Sequence, residues 1–128
     1  MQTFRVDHIH LIAPEIETTK QWYCDMLGAR VTFESEYKGK KIYYIDLNGF
    51  KLILIEGLPH ETPLPPTIQS RVGLDHFGVE VENMDAAVSE LKAKGVKFLL
   101  EPMQFRPGLR IAYVEAPDKV RLELSERR

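Results

Sequence analysis

His8 is followed 48 residues later by Glu56, and His76 is followed 47 residues later by Glu123. Both imidazoles sit in the same local context, an aspartate and then the histidine on an apolar stretch, "VDHIHL" and "LDHFGV". Two histidines and two carboxylates at matched spacing make a set of two nitrogens and two oxygens. Such a set suits a borderline-to-hard divalent cation (Ni, Co, Zn, Mn or Fe) and contains no soft thiolate. A cation of this kind acts as a Lewis acid on a substrate with two adjacent oxygens, stabilising the enolate left when a proton leaves the neighbouring carbon. A glutamate at its edge is placed to take that proton. Taken singly, none of the four means this much. An isolated histidine on a strand is more often a surface or hydrogen-bonded residue than a ligand, and a glutamate at a strand end is ordinarily solvated. The repetition makes them candidates.

The elements that must position these residues also come twice. "FRVDHIHLIA" (4–13) reads as a strand, and Pro14 opens a helix through "PEIETTKQWYCDMLGA" that Gly28 ends. "ARVTFESEY", "KKIYYIDLN" and "FKLILIE" follow as strands, with Lys38-Gly39 and Asn48-Gly49 as turns. The stretch 57–72, "GLPHETPLPPTIQSRV", holds four prolines, has no periodicity and reads as a linker. The pattern then restarts. "GLDHFGVEVE" is a strand, "NMDAAVSELKAKG" a helix capped by Asn83 and stopped by Gly95, and "VKFLLEP", "LRIAYVEAP" and "KVRLELSE" are three more strands. We therefore expect one domain over 1–128, made of module 1 (1–56), the linker (57–72) and module 2 (73–128), each module β-α-β-β-β. The offsets are 68 for His8 and His76, 67 for Gly28 and Gly95, and 67 for Glu56 and Glu123.

Composition narrows the classes. The chain has 128 residues, 44% of them hydrophobic and 28% charged, with a net charge of −2. It is large enough for a core and carries no basic footprint for nucleic acid or anionic membrane. No apolar run approaches the roughly 20 residues that cross a bilayer, and "MQTFRVDHIH" has no apolar signal segment. The single cysteine, Cys24, excludes an internal disulfide and a cysteine-rich zinc module. A cytoplasmic protein acting on a small molecule is the expectation.

"VDHIHL" with "WYCDMLG" in the first half, and "LDHFGVEVENMDAAVSELKAKGV" with "RIAYVEAPDKVRLEL" in the second, resemble the vicinal oxygen chelate superfamily. That family includes glyoxalase I, methylmalonyl-CoA epimerase, extradiol dioxygenases and fosfomycin or bleomycin resistance proteins. The resemblance covers nearly the whole chain. It implies an α+β fold in which two βαβββ modules form an open curved sheet, a half-barrel, around a divalent metal held by His8, Glu56, His76 and Glu123. A full set of two histidines and two carboxylates is similar to that of glyoxalase I-like members. It implies a metal-dependent lyase or isomerase that moves a proton next to a chelated 2-oxo group or thiol adduct, with Glu123 as principal base and Glu56 as its partner. The alternatives are an epimerase of a 2-substituted acyl thioester, an Fe(II) dioxygenase (for which one carboxylate is too many) and a binding or resistance protein without catalysis. A homodimer is implied as well. One departure is the last turn, "EAPDKV", with Lys119 where the family usually has glycine.

Other residues gain a place from their strands. His10 has Gly78 as its counterpart, so it reads as lining a cavity rather than binding metal, or as a histidine near the cavity's mouth. Lys119, Arg121 and Glu123 alternate: either both cations face the cavity, where a buried Arg121 needs an anion, or a bulge turns them outward. Leu52, Leu54 and Glu56 alternate likewise, as an apolar wall beside a ligand. "FRPGLR" (105–110) reads as a loop, either solvated or over the site, with Arg106 or Arg110 in reach of an anionic substrate. Trp22 and Cys24 read as helix packing, and His60 as solvated.

Overall fold

The computed structural model describes residues 2–3, 5–57 and 74–128. The linker beyond Gly57, with His60, lies outside the described residues. The chain divides into two compact units, Met1–Thr62 and Pro63–Arg128.

In the first unit β1 (His8–Ala13) leads through Pro14 into α1 (Ile16–Leu27), and then come β2 (Arg30–Tyr37), β3 (Lys40–Leu47) and β4 (Phe50–Glu56). Gly28 ends α1 with φ 70°, and its N–H reaches back to the Cys24 carbonyl. That left-handed position suits glycine because a Cβ is penalised there. The hairpin turns hold Lys38-Gly39 and Asn48-Gly49, all four with positive φ, which matches the right-handed twist of the strands. The sheet order is β1-β4-β3-β2. β1 pairs β4 in parallel, and the other neighbours are antiparallel. Tyr43, Ile45, Leu52 and Leu54 are buried on one face, together with Ile16 and Tyr23 of α1. Each such side chain contributes about 1.5–3 kcal/mol by leaving water.

The second unit repeats the plan. β5 (Phe77–Glu80) is followed by α2 (Met84–Ala93), β6 (Phe98–Arg106), β7 (Leu109–Glu115) and β8 (Arg121–Arg127), with a short 3-10 turn at Pro117–Lys119 before β8. The order is β5-β8-β7-β6, again with the first pair parallel. The side chain of Asn83 accepts the Ala86 N–H and caps α2. Ala112, Val114, Leu122 and Leu124 are buried on the face that also meets Met84 of α2. Each unit is thus an open mixed sheet with a helix on one face, and the class is α+β as expected.

The differences from expectation lie at element ends. β1 and β5 begin at His8 and Phe77, later than the expected starts at 4 and 73, because the described residues just before them, 5–7 and 74–76, have no ladder partner. The stretch 105–110 is a hairpin rather than a loop: Arg106 pairs with Leu109 across Pro107-Gly108. β6 runs on through Pro102 with register shifts, as proline in a strand requires.

Candidate metal centre

In the second unit, the parallel pairing of β5 and β8 sets Gly78 beside Glu123. His76, two residues before Gly78, therefore shares a face with Glu123. Nε2 of His76 lies 3.2 Å from Oε2 of Glu123, and Nδ1 lies 2.7 Å from Oδ2 of Asp75. Asp75 is held in turn by the guanidinium of Arg121, which is buried. An aspartate on Nδ1 fixes the tautomer in which the Nε2 lone pair is free, as a carboxylate does behind a metal-binding histidine. The separation of Nε2 and Oε2 is short enough for one cation, with bonds of about 2.0–2.2 Å to nitrogen and oxygen, to be held by both. A Cβ at Gly78 would stand 3.5 Å from the Glu123 Cβ and 3.7 Å from Oε1, so glycine keeps this corner open.

Tyr113 of β7 is in register with Glu123. Its ring meets His76 edge-on, with centroids 5.0 Å apart. Burial, and then the hydrogen bond to Glu123, push its phenol above the usual range, so it stays protonated and donates to the carboxylate. The Arg121 guanidinium carbon lies 5.9 Å from the same ring.

The first unit reproduces part of this. Nδ1 of His8 is 2.7 Å from Oδ2 of Asp7, and Nζ of Lys51 is 3.6 Å from that oxygen. The His8 hydrogen bond, with the Lys51 charge behind it, holds the Asp7 carboxyl below the usual range. Lys51 is in register with His8, as Arg121 is adjacent to His76 one step before the Phe77–Leu122 pair. Aspartate, histidine and cation therefore recur as a set.

The carboxylate does not. β1 pairs His10 with Ile53 and Ala13 with Glu56. His8 and His10 thus share a face with Lys51, Ile53 and Ile55, while Leu52, Leu54 and Glu56 lie on the α1 face. There Glu56 accepts the Lys41 backbone N–H at 3.4 Å. The expectation that Glu56 stands beside His8, at the end of an apolar wall lining the site, is corrected. Matching the strand registers makes Ile53 the counterpart of Glu123, at an offset of 70 (123 − 53), and Glu56 the counterpart of Glu126 (126 − 56 = 70). The offset grows along the module. Five residues separate the paired Glu115 and Arg121, where four separate the paired Asp46 and Lys51. An odd slip along a strand moves a side chain to the other face.

Glu126 shows what that position does. Buried beneath α2, its Oε2 accepts the Met84 N–H at 2.6 Å. This bond, more than the Arg128 and Arg110 charges, keeps its carboxyl below the usual range. Arg110 belongs to the same face, 3.2 Å from Asp85 and 3.9 Å from Glu126, so it does not join Glu123. Arg121 does join it, although its anion is Asp75. Lys119 lies in the turn and pairs with Glu115 at 3.3 Å. Asp118 and Lys119 both have φ above 60°, so this turn takes the left-handed backbone without glycine. Arg106 is exposed at the end of β6. Among the described residues no three His, Cys, Asp or Glu side chains form one metal-holding group. Within its own unit each half offers donors: His76 with Glu123, and His8 with His10 nearby. The residues that inspection of the sequence passes over are Tyr113 and the two aspartates. The recurring Asp-His dipeptide was the available signal for the aspartates. Tyr113 had none, since a tyrosine in a strand reads as packing.

The chain matches the family model of the Glyoxalase/Bleomycin resistance protein/Dioxygenase superfamily over residues 5–124, and it belongs to that family, the vicinal oxygen chelate superfamily. An uncharacterized protein of Bacillus subtilis, YwkD, is 34% identical over 94% of this chain and 95% of its own. The mitochondrial methylmalonyl-CoA epimerase of Homo sapiens is 28% identical over 78% of this chain, which spans 59% of that enzyme. Among solved structures, the fosfomycin resistance protein FosX of Listeria monocytogenes, complexed with Mn(II) and sulfate, superposes with a TM-score of 0.74. It does so at 18% identity, over 99% of this chain and 95% of that one; at that identity the likeness is one of fold. No described helix is long and apolar enough to cross a membrane.

Proposed function

We propose that this protein is a divalent-metal-dependent lyase or isomerase of the glyoxalase I kind, acting on a small 2-oxo compound or its thiol adduct. Its metal ligands in this reading are His76 and Glu123 of module 2, with His8 the corresponding imidazole of module 1. The observation that carries it is the His76–Glu123 pair at 3.2 Å with Asp75 on the far nitrogen. When bound, the cation supplies Lewis acidity to two vicinal oxygens and lowers the cost of the enolate. Glu123 takes the proton from carbon, the C–H electron pair passing into the enolate, and returns the proton to the neighbouring carbon. Tyr113 holds the carboxylate through its hydrogen bond, Asp75 orients His76, and Arg121 fixes Asp75.

With Glu56 on the α1 face, Glu123 is the one carboxylate of the expected ligand pair that stands against a histidine; one base serves proton transfer between adjacent carbons, whereas inversion at one carbon needs a proton delivered from the opposite side. The likeness to the human epimerase supports a second reading, epimerisation of an acyl thioester. With Glu56 on the α1 face, the expected four-ligand set is reduced, so the ligand count no longer argues against oxygen chemistry at Fe(II). We take the working form to be a homodimer, read by light scattering over a range of concentrations.

One experiment separates these readings. Protein loaded with Ni, Co, Zn, Mn or Fe(II) is offered 2-oxo hemithioacetals and acyl thioesters in deuterium oxide, with oxygen uptake followed in parallel. Rearrangement of a hemithioacetal, lost in E123Q, is expected. Deuterium exchange confined to acyl thioesters would transfer the assignment to the epimerase, and oxygen consumption with Fe(II) to the dioxygenase. Absence of stoichiometric divalent metal in protein purified without chelator overturns all three.

A further inference from the structure

We infer that His10 is a metal ligand, taking in module 1 the place that Glu123 holds in module 2; the inference rests on the metal-centre reading above. His10 and Ile53 stand side by side on β1 and β4. The same two places on β5 and β8 hold Gly78 and Glu123. Between the modules, the residue with a donor atom has changed strands. Module 2 has its carboxylate on β8, with a glycine beside it that leaves the corner open. Module 1 has an apolar residue on β4 and an imidazole beside it on β1. Neighbouring strands lie about 4.8 Å apart, a distance an imidazole spans by leaning across its neighbour.

His8 and His10 are alternate residues of one strand, so both rise from the same face. Both are exposed on it. Their chemistry differs. Asp7 holds Nδ1 of His8 and directs Nε2 outward. The imidazole of His10 makes no hydrogen bond or ion pair with any described residue, which leaves either nitrogen free to donate. Tyr44 of β3 stands in register with Ile53, as Tyr113 does with Glu123, so the frame around the position is kept while the donor is exchanged. With His8 on the same face, His10 gives module 1 two imidazoles and no carboxylate beside them, a donor pair richer in nitrogen than the His-Glu pair of module 2. It suits Ni, Co, Zn or Cu better than Mg or Ca.

The test is metal binding by the full chain, with Zn(II) affinity from calorimetry and the number of coordinated nitrogens from the electron paramagnetic resonance of the Cu(II)-loaded protein. H10A is expected to lose at least about 10- to 100-fold in Zn(II) affinity, the scale on which removing even a second-shell partner acts, and to lose one nitrogen from the Cu(II) spectrum. The double variant H10G/I53E, which copies the module 2 arrangement, is expected to recover affinity with one nitrogen fewer than wild type. Wild-type affinity and nitrogen count in H10A, with H76A deficient, overturn this inference and leave the metal centre standing. No metal on the wild-type chain overturns both. Because His10 is exposed, H10A tests ligation rather than folding, and H10Q provides a second, polar replacement read in the same way.

Discussion

Modules 1 and 2 share a frame and differ in what they mount on it. Both run β-α-β-β-β with a parallel first pair, and both place an aspartate behind a histidine and a cation near the aspartate. In module 2 the cation is a buried arginine and the frame holds a carboxylate against the imidazole. In module 1 the cation is a half-exposed lysine, and the carboxylate position holds isoleucine. Both halves therefore keep the means of orienting a histidine, whereas among the described residues a glutamate stands against the imidazole only in module 2.

Exchanging the carboxylates puts the largest strain on this comparison. E123Q is expected to lower turnover about 10²- to 10⁴-fold, the usual contribution of a positioned general base. E56Q, on the α1 face, should change neither turnover nor metal content by more than about twofold, a surface-scale effect. Equal losses in the two variants, measured on whichever substrate the panel identifies, would restore the symmetric site and remove the asymmetry argued here. The orienting aspartates come next. D75N should weaken Zn(II) binding about 10- to 100-fold. D7N should fall at or below the lower end of that range, because Lys51 sits 3.6 Å from an exposed carboxylate, whereas Arg121 is buried against Asp75. A D7N loss matching that of D75N would show that the buried arginine adds nothing.

Most of the fold was legible in the sequence, and the site was legible in part, for one reason. Strand and helix identity come from local pattern: alternation in "FKLILIE", the proline and glycine that bracket α1, the asparagine before α2. A histidine one step after an aspartate is local too, so the matched contexts of His8 and His76, each with its aspartate on Nδ1, could be read from the sequence. Pairing Glu56 with Glu123 needed the register of β4 against β1, and register is set by lengths summed over intervening turns. One residue more between β7 and β8 than between β3 and β4, with the drift upstream of it, moved the true counterpart to Ile53. An isoleucine announces no chemistry. The same arithmetic hid Glu126, whose value lies in a buried bond to a backbone N–H that no spacing reveals. Arg110 was misplaced because strand alternation gives two faces without saying which one a helix will cover.

Stability should separate the two glutamates that share a place at the ends of β4 and β8. Glu126 is buried and accepts the first N–H of α2 at 2.6 Å, satisfying a donor that the helix itself leaves unpaired. Glu56 accepts the Lys41 N–H at 3.4 Å, in an exposed setting. E126Q is therefore expected to lower the melting temperature by several degrees, and E56Q by no more than about one or two degrees, as for surface substitutions. Equal shifts would mean that the second contact anchors its module as firmly as the first.

The smallest effect concerns how α1 is tied down in module 1. Its first-turn Glu17 receives Lys41 Nζ at 2.8 Å and the Tyr43 hydroxyl at 2.5 Å. These two bonds, Lys41 first, hold its carboxyl at about 2, below the ordinary 4.5. A carboxyl whose folded value is depressed contributes its stability above the unfolded value and loses it as pH falls through the folded one. The contribution of Glu17 should therefore be intact above about pH 4.5 and disappear on acidification towards about 2. Because Glu17 is more than half exposed, solvent and salt screen the pair and the effect on stability is slight. Y43F removes one donor and leaves the other, so the Glu17 midpoint, followed by carboxyl carbon NMR, should rise part of the way to 4.5. A midpoint unmoved by Y43F would assign the depression to Lys41 alone and leave α1 held to β3 by an exposed ion pair, in contrast to the buried bond that holds α2.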